Sequence, residues 1–175
     1  MVVGFLDETS PQTTANTQRF WSSGHPTLIK NTTKFRANTF GFYSINGCSA
    51  LEFYEHSKKE DICEFLKVIR EKNPEVDLVI ILDNFRSHHA HLTREYAEKN
   101  RIHLVFLPPY SPDLNPIEYI WKSIKRIISR NFIQDLDHMK QVILDAFKKF
   151  CSSISFAKAW IKKFLWGGVD YCINI

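Results

Sequence analysis

No two of the four cysteines, Cys48, Cys63, Cys151 and Cys172, stand at Cys-x-x-Cys spacing in this 175-residue chain. That argues against a zinc knuckle, and a few scattered thiols fit a reducing compartment rather than a disulfide scaffold. No apolar run reaches the length of a membrane span. The opening run from Met1 to Asp7 is too short for a signal peptide, and acid follows it at once. Low-complexity tracts, internal repeats and linkers are also missing, so the expectation is one soluble, intracellular domain.

What is present is ordinary globular material. Apolar residues make up 44% and charged residues 24%, and 14 phenylalanines allow a large aromatic core. The net charge of +4 permits a nucleic-acid partner without demonstrating one. Its distribution says more: residues 111–175 carry 10 basic and 6 acidic groups, and that excess accounts for most of the imbalance.

The hydrophobic pattern changes period along the chain. Val2 to Asp7, Phe35 to Ile45 and Ala50 to Tyr54 read as strands, with Asn46-Gly47 as a hairpin signal between the last two. Between the first and second strands, residues 9–33 form a long polar loop, with room for its own turn or short hairpin, of a length that is usually functional. Glu60 to Glu71 is an amphipathic helix ended by Asn73-Pro74. Leu78 to Leu82 is apolar throughout, the mark of a strand buried on both faces. A helix from about Ala90 to Lys99, a strand from Ile102 to Leu107 and a Pro-rich stop follow. From Pro116 to Phe132 the stripe Ile117, Trp121, Ile124, Ile128, Phe132 has helical spacing, and two more helices follow near 135–151 and 154–165. Trp166 to Ile175 is ambiguous. The order β-β-β-α-β-α-β-α, with C-terminal helices, predicts an α/β fold: a mixed five-stranded sheet with helices on both faces.

Two of these strands end in acid. Asp7 closes the first, and Asp83 follows Leu-Val-Ile-Ile-Leu; such carboxylates are rigidly held and open on a loop-lined crevice. Glu118 sits in the first turn of the helix after the last strand. If these elements are neighbours, three carboxylates converge, which suits hard divalent ions and phosphoryl transfer. Each acid also has a bland reading. Glu8 beside Asp7 must point to the opposite face of a regular strand, so both cannot serve one site. Asp83-Asn84 could simply start a turn. Asn115-Pro116-Ile117-Glu118 has the pattern of an N-cap, Pro at N1 and Glu at N3, so Glu118 could be a local stabiliser. Asp113 is a rival carboxylate in a Pro-flanked turn. His89 and His91 read as polar surface rather than a metal site.

Leu82-Asp83-Asn84-Phe85-Arg86-Ser87-His88 resembles the second-Asp motif, Asp-Asn-x-x-x-His after a strand, of the DDE transposases of the mariner superfamily and its bacterial insertion-sequence relatives. The run from Leu107 to Trp121 is nearly that family's signature around its glutamate, and 34 residues separate Asp83 from Glu118, as in one large branch. Phe5-Leu6-Asp7-Glu8 is similar to the first-Asp motif, and Trp21-Ser22-Ser23-Gly24 to a Trp-x-x-Gly stretch of the loop that follows. The resemblance covers roughly residues 2–150. It implies an RNase H-like fold and Asp7, Asp83 and Glu118 as ligands of Mg²⁺ or Mn²⁺, two ions being expected. It implies hydrolysis of a phosphodiester at a transposon end, then attack of the freed 3′-OH on target DNA. Asn84 and His88 match motif positions; His88 could touch phosphate or brace the loop.

Lys122, Lys125 and Arg126 lie on the side of Glu118, at i+4, i+7 and i+8. They read either as a solvated face with a Glu118–Lys122 pair worth about 0.3 kcal/mol, or as a phosphate track leading from the metal site. Lys158, Lys162 and Lys163 form a second basic cluster, and Trp160 and Phe164 read as core. The expected partners are double-stranded DNA and, by the resemblance, a second copy in a homodimer. The expected compartment is the cytoplasm, at the nucleoid if prokaryotic. We expect one catalytic domain over 1–175, with a core of about 2–132 and a helical extension over 133–175. A helix-turn-helix domain, usual in the family, is expected to be absent in front of Val2, leaving a fragment, a truncated copy or a split-frame product whose DNA-binding subunit is separately encoded. Alternatives are an RNase H-like endonuclease or resolvase that never joins strands, and an inactive DNA-binding remnant. An aspartyl-phosphate phosphatase fits poorly, because Phe85 stands where an Asp-x-Asp pattern needs its second Asp.

Overall fold

An unbroken apolar run ahead of Asp7 lets the strand β1 (Val2–Thr9) be covered on both faces, and it occupies the middle of the sheet. In the computed structural model, which describes residues 1–14, 23–24, 31–109 and 111–164, five strands stand in the order β3-β2-β1-β4-β5. β2 (Thr39–Ser44) pairs antiparallel with β1 and with β3 (Ala50–Phe53), while β4 (Leu78–Leu82) runs parallel to β1 and to β5 (Ile102–Phe106). The expected mixed five-stranded sheet is therefore present, with two helical crossovers, α1 (Lys59–Lys72) and α2 (His91–Lys99), delivering the parallel strands.

Strand alternation sorts the core into two layers. Val2, Leu6, Phe40, Leu78, Ile80 and Leu82 face α1 and α2, where Phe65, Leu66 and Ile69 meet them. Phe5, Tyr43, Leu51 and Ile81 face the other side, covered by α3 (Ile117–Arg130), α4 (Leu136–Cys151) and α5 (Ser155–Phe164). Met139, Ile143, Phe147 and Ala157 belong to that same cluster, so the core does not stop at residue 132. With α3, the helices beyond it make up one of the two covering layers.

Three local expectations change. The strand read from Phe35 begins only at Thr39, because Thr13 takes both backbone groups of Phe35 and Gln12 bridges Arg36, away from the sheet. The β2–β3 connection is longer than a two-residue turn. Asn46 accepts from Val3 N and donates to Met1 O, tying the loop to β1. Phe132 leaves the stripe: α3 ends at Arg130, Asn131 is extended, and Phe132 is 56% exposed. Most of the loop over 9–33, including Trp21 and Ser22, and the segment from Trp166 to Ile175 lie outside the described residues. Among the described residues no helix is long and apolar enough to cross a membrane.

Candidate functional site

Parallel pairing sets Phe5 of β1 beside Ile81 of β4; Asp7 lies two residues further along β1 and Asp83 two residues beyond Ile81, just past the end of β4, and both line one cleft. Both acids share the parity of Phe5 and Ile81, the side covered by α3. Across β1 from Asp7 stands Gly41. A Cβ there would lie 2.5 Å from the Trp121 ring and 3.1 Å from Ile117 Cδ1, so α3 seats against the sheet where a side chain is missing. That close seating brings Glu118, next to Ile117, over the same ground. Asp7, Asp83 and Glu118 line one cleft of about 380 Å³, together with Leu107, Pro108, Pro109, Ser111 and Pro112. The three acids singled out in the sequence thus share one cavity, whereas Asp113, in a short 3-10 turn (Pro112–Leu114), lines a different groove.

The capping pattern before Glu118 is realised differently. Pro116 is the helix N-cap and is already helical, so no side chain caps α3. The backbone carbonyl of Asn115 accepts from Glu118 N, while its side-chain Nδ2 reaches back 3.5 Å to Leu6 O on β1. Asn115 is buried, lines the cleft, and its Oδ1 has no hydrogen-bond partner among the described residues. It anchors the start of α3 to the strand that carries Asp7, a role the capping pattern concealed.

Electrostatics separate the two aspartates. Asp7 is only 7% exposed. Burial, then the charges of Glu118, Glu8 and Asp83, hold its carboxyl well above the usual carboxylate range. Asp83 is half exposed and is pulled down, first by a hydrogen bond from His88, with burial opposing and Phe85 N adding a second donor. His88 Nδ1 lies 3.0 Å from Asp83 Oδ1, and its Nε2 lies 2.8 Å from Glu8 Oε1. Burial alone would lower the His88 pKa, but the hydrogen bonds to Asp83 and Glu8 outweigh it and raise the value to about 10. The ring is wholly buried, which corrects its assignment as a DNA contact in favour of the bracing alternative: it holds Asp83 from behind. Glu8, set aside because alternation turns it from the site, touches the site from behind through this ring.

Asn84 lines the cleft but spends its amide within the protein, donating to Leu107 O and accepting from His89 Nε2 at 3.0 Å. It ties the loop after β4 to the end of β5. The His89 ring stacks on Phe106, and His91 is exposed beside Glu95. Among the described residues no three His, Cys, Asp or Glu side chains are already gathered around one point.

Lys122, Lys125 and Arg126 are all exposed, and no Glu118–Lys122 ion pair forms among the described residues. Only two of the three face the neighbouring helix. Lys122 and Arg126, with Tyr119 and Asp113, line a groove of about 820 Å³ between α3 and α5, whose other wall includes Phe156 and Ala159. Lys125 does not line it.

Residues 2–140 match the family model described as DDE superfamily endonuclease. The Tc3 transposase of Caenorhabditis elegans is 40% identical over 68 residues, covering 38% of this chain and 21% of that protein. The Tcb2 transposase of Caenorhabditis briggsae is 28% identical over 97 residues, covering 47% of this chain and 36% of that protein. The matched stretches therefore span about a third or less of these relatives. Among solved structures, the mariner Mos1 paired-end complex with Mg superposes with a TM-score of 0.70 at 17% identity, covering 98% of this chain and 57% of that one. The catalytic domain of Mos1 mariner transposase gives 0.59 at 14% identity, covering 97% and 84%. At such identities the structural likeness establishes the RNase H-like fold.

Proposed function

Given that this chain belongs to the DDE superfamily of endonucleases, we propose that it is the catalytic domain of a DNA transposase, which hydrolyses phosphodiesters at transposon ends and transfers the 3′-OH into target DNA. The observation that carries this reading is the convergence of Asp7, Asp83 and Glu118 on one cleft, two from register-matched parallel strands and one from α3. The names of the relatives, all transposases, support it, as does the Mos1 complex with DNA ends.

The donor set fits hard divalent cations. It is all oxygen, and the repulsion that pushes Asp7 up is relieved by positive charge. Asp7, Asp83 and Glu118 would hold Mg²⁺ or Mn²⁺, with two ions as our reading. Two such ions, when bound, stabilise both the attacking and leaving oxygens of a phosphoryl transfer. The chain's own residues do the rest. Asn84, bonded to Leu107 O, and the prolines Pro108, Pro109 and Pro112 form the cleft wall. Asn115 holds Glu118's helix to β1. Lys122 and Arg126 offer cations to the DNA backbone in the α3–α5 groove, with Tyr119, 46% exposed, as an apolar neighbour for sugar or base. Lys125 sits outside that groove and would contribute only to the general field.

Joining two ends calls for two active sites, so the acting form is a homodimer on double-stranded DNA. End recognition would come from a helix-turn-helix domain, in a longer chain or in a separate subunit, and the protein would work wherever the cell keeps its DNA. Nicking of supercoiled plasmid in Mn²⁺ tests the reading. The wild type should nick and Glu118→Gln should not; equal nicking by both, or none by folded wild type on any DNA, overturns it. Joining of a pre-cut 3′-OH end to plasmid then separates a transposase from a nuclease that never transfers strands.

A further inference from the structure

Asp83 has two carboxylate oxygens, and the protein uses only one. Oδ1 takes His88 Nδ1 at 3.0 Å and Phe85 N at 2.9 Å. Oδ2 takes no hydrogen bond among the described residues, although Asp83 lines the cleft. His88 does not line the cleft; it is wholly buried behind it. Its other nitrogen ends on Glu8 Oε1 at 2.8 Å, and Glu8 is the residue next to Asp7 on β1. Nδ1 faces only acceptors, the Asp83 carboxylate and, at 3.3 Å, the Asp83 carbonyl, so Nδ1 must carry a proton and donate.

We propose that Glu8 is a positioning residue for Asp83: it anchors the His88 ring, the ring anchors Oδ1, and Oδ2 is thereby presented to the divalent cation. This rests on the reading of Asp83 as an ion ligand. Strand parity explains the arrangement. Asp7 and Glu8 point to opposite faces of β1, so one lies in the cleft while the other reaches the loop after β4 from behind the sheet. A buried imidazole between two carboxylates has no rotational freedom while both bonds stand. With one removed, the ring can swing and Asp83 gains rotamers that turn Oδ2 away. A group that directly holds a metal ligand, as His88 would hold Asp83, typically changes metal affinity 10–100-fold when deleted; Glu8 acts one link further out.

The test is Mn²⁺ binding without DNA, followed on the full chain by calorimetry and by the electron paramagnetic resonance of free Mn²⁺, with circular dichroism to confirm folding. Wild type should bind and Asp83→Asn should lose binding. Glu8→Ala should weaken binding by up to about 10-fold, the low end of that range for a group one link further out, and Glu8→Gln should restore most of it, because an amide oxygen can still accept from Nε2. A Glu8→Ala protein that binds like wild type overturns the proposal and leaves the metal site standing. No Mn²⁺ binding by the wild type overturns the metal site itself, and the proposal with it. Should Glu8→Ala fail to fold, the pair His88→Asn and His88→Gln decides. Asn keeps a donor near the Nδ1 position, facing Asp83, and Gln keeps one near the Nε2 position, facing Glu8. Anchoring from Glu8 requires both variants to bind Mn²⁺ more weakly than wild type, since each lacks one of the two links; wild-type affinity in His88→Asn, which has no donor for Glu8, rejects it.

Discussion

Gly41 lies beneath the indole of Trp121, at a spacing that a single added methyl group would close to 2.5 Å. The pair sets how near α3 comes to β1, and so how near Glu118 comes to Asp7. Trp121 is buried and stacked on Phe147, with ring centroids 5.6 Å apart, so it has little room to yield. Gly41→Ala should therefore cost about 1–3 kcal/mol, the usual range for overpacking. In a domain of this size that is a fall of roughly 2–10 °C in Tm. It should also lower Mn²⁺-dependent nicking beyond the loss explained by unfolding. An unchanged Tm would show that α3 can slide away without cost.

Asp7 is a buried carboxylate surrounded by three others, a poor arrangement for stability in the absence of cations. Asp7→Asn keeps the shape and removes the charge. In EDTA the variant should be more stable than wild type by on the order of 1 kcal/mol, a rise of roughly 2–4 °C, while nicking is abolished. Thermal unfolding in EDTA checks the first half. A variant less stable than wild type would mean that Asp7 makes a favourable interaction outweighing the repulsion.

Cation binding should reverse that ranking. Wild type in Mn²⁺ at about 100 times its Kd should gain roughly 2.7 kcal/mol, and the gain should vanish in Asp7→Asn and shrink in Glu118→Gln. The comparison is a pair of melting curves for each protein, with EDTA and with Mn²⁺. Equal shifts in all three proteins would place the ion elsewhere on the molecule.

The strands that carry the two aspartates were legible because a buried strand ending in acid is a local pattern; β4 begins and ends where its apolar run does. What joins them was not local. The shared cleft of Asp7 and Asp83 depends on parallel register, which a single sequence does not encode in any one segment. Gly41 looked like one more small residue in a strand, and its meaning depends on Trp121, 80 positions away. His88 was ambiguous for the same reason: histidine is at home on the surface, and only the arrival of Glu8 from β1 makes it a buried brace. Asn115 misled by a locally sound pattern, since its side chain had a better-placed partner in the Leu6 carbonyl than in the first turn of α3. The helices after residue 132 read as an extension because amphipathicity shows that a face is covered but not by what.

The last prediction separates three cations that the sequence placed together. Lys122 and Arg126 line the α3–α5 groove, and Lys125 does not. A cation that neutralises a phosphate releases counterions, and each such contact adds about 0.9 to the slope of log K against log salt on duplex DNA. Lys122→Ala and Arg126→Ala should each flatten that slope by nearly one. Lys125→Ala should weaken binding slightly at low salt and leave the slope close to that of wild type. Fluorescence anisotropy of a labelled duplex across a KCl series, in Ca²⁺ or EDTA to prevent cleavage, measures all four proteins. A loss of slope in Lys125→Ala as large as in the other two would mean that DNA follows the outer face of α3 and that the groove between α3 and α5 serves something else.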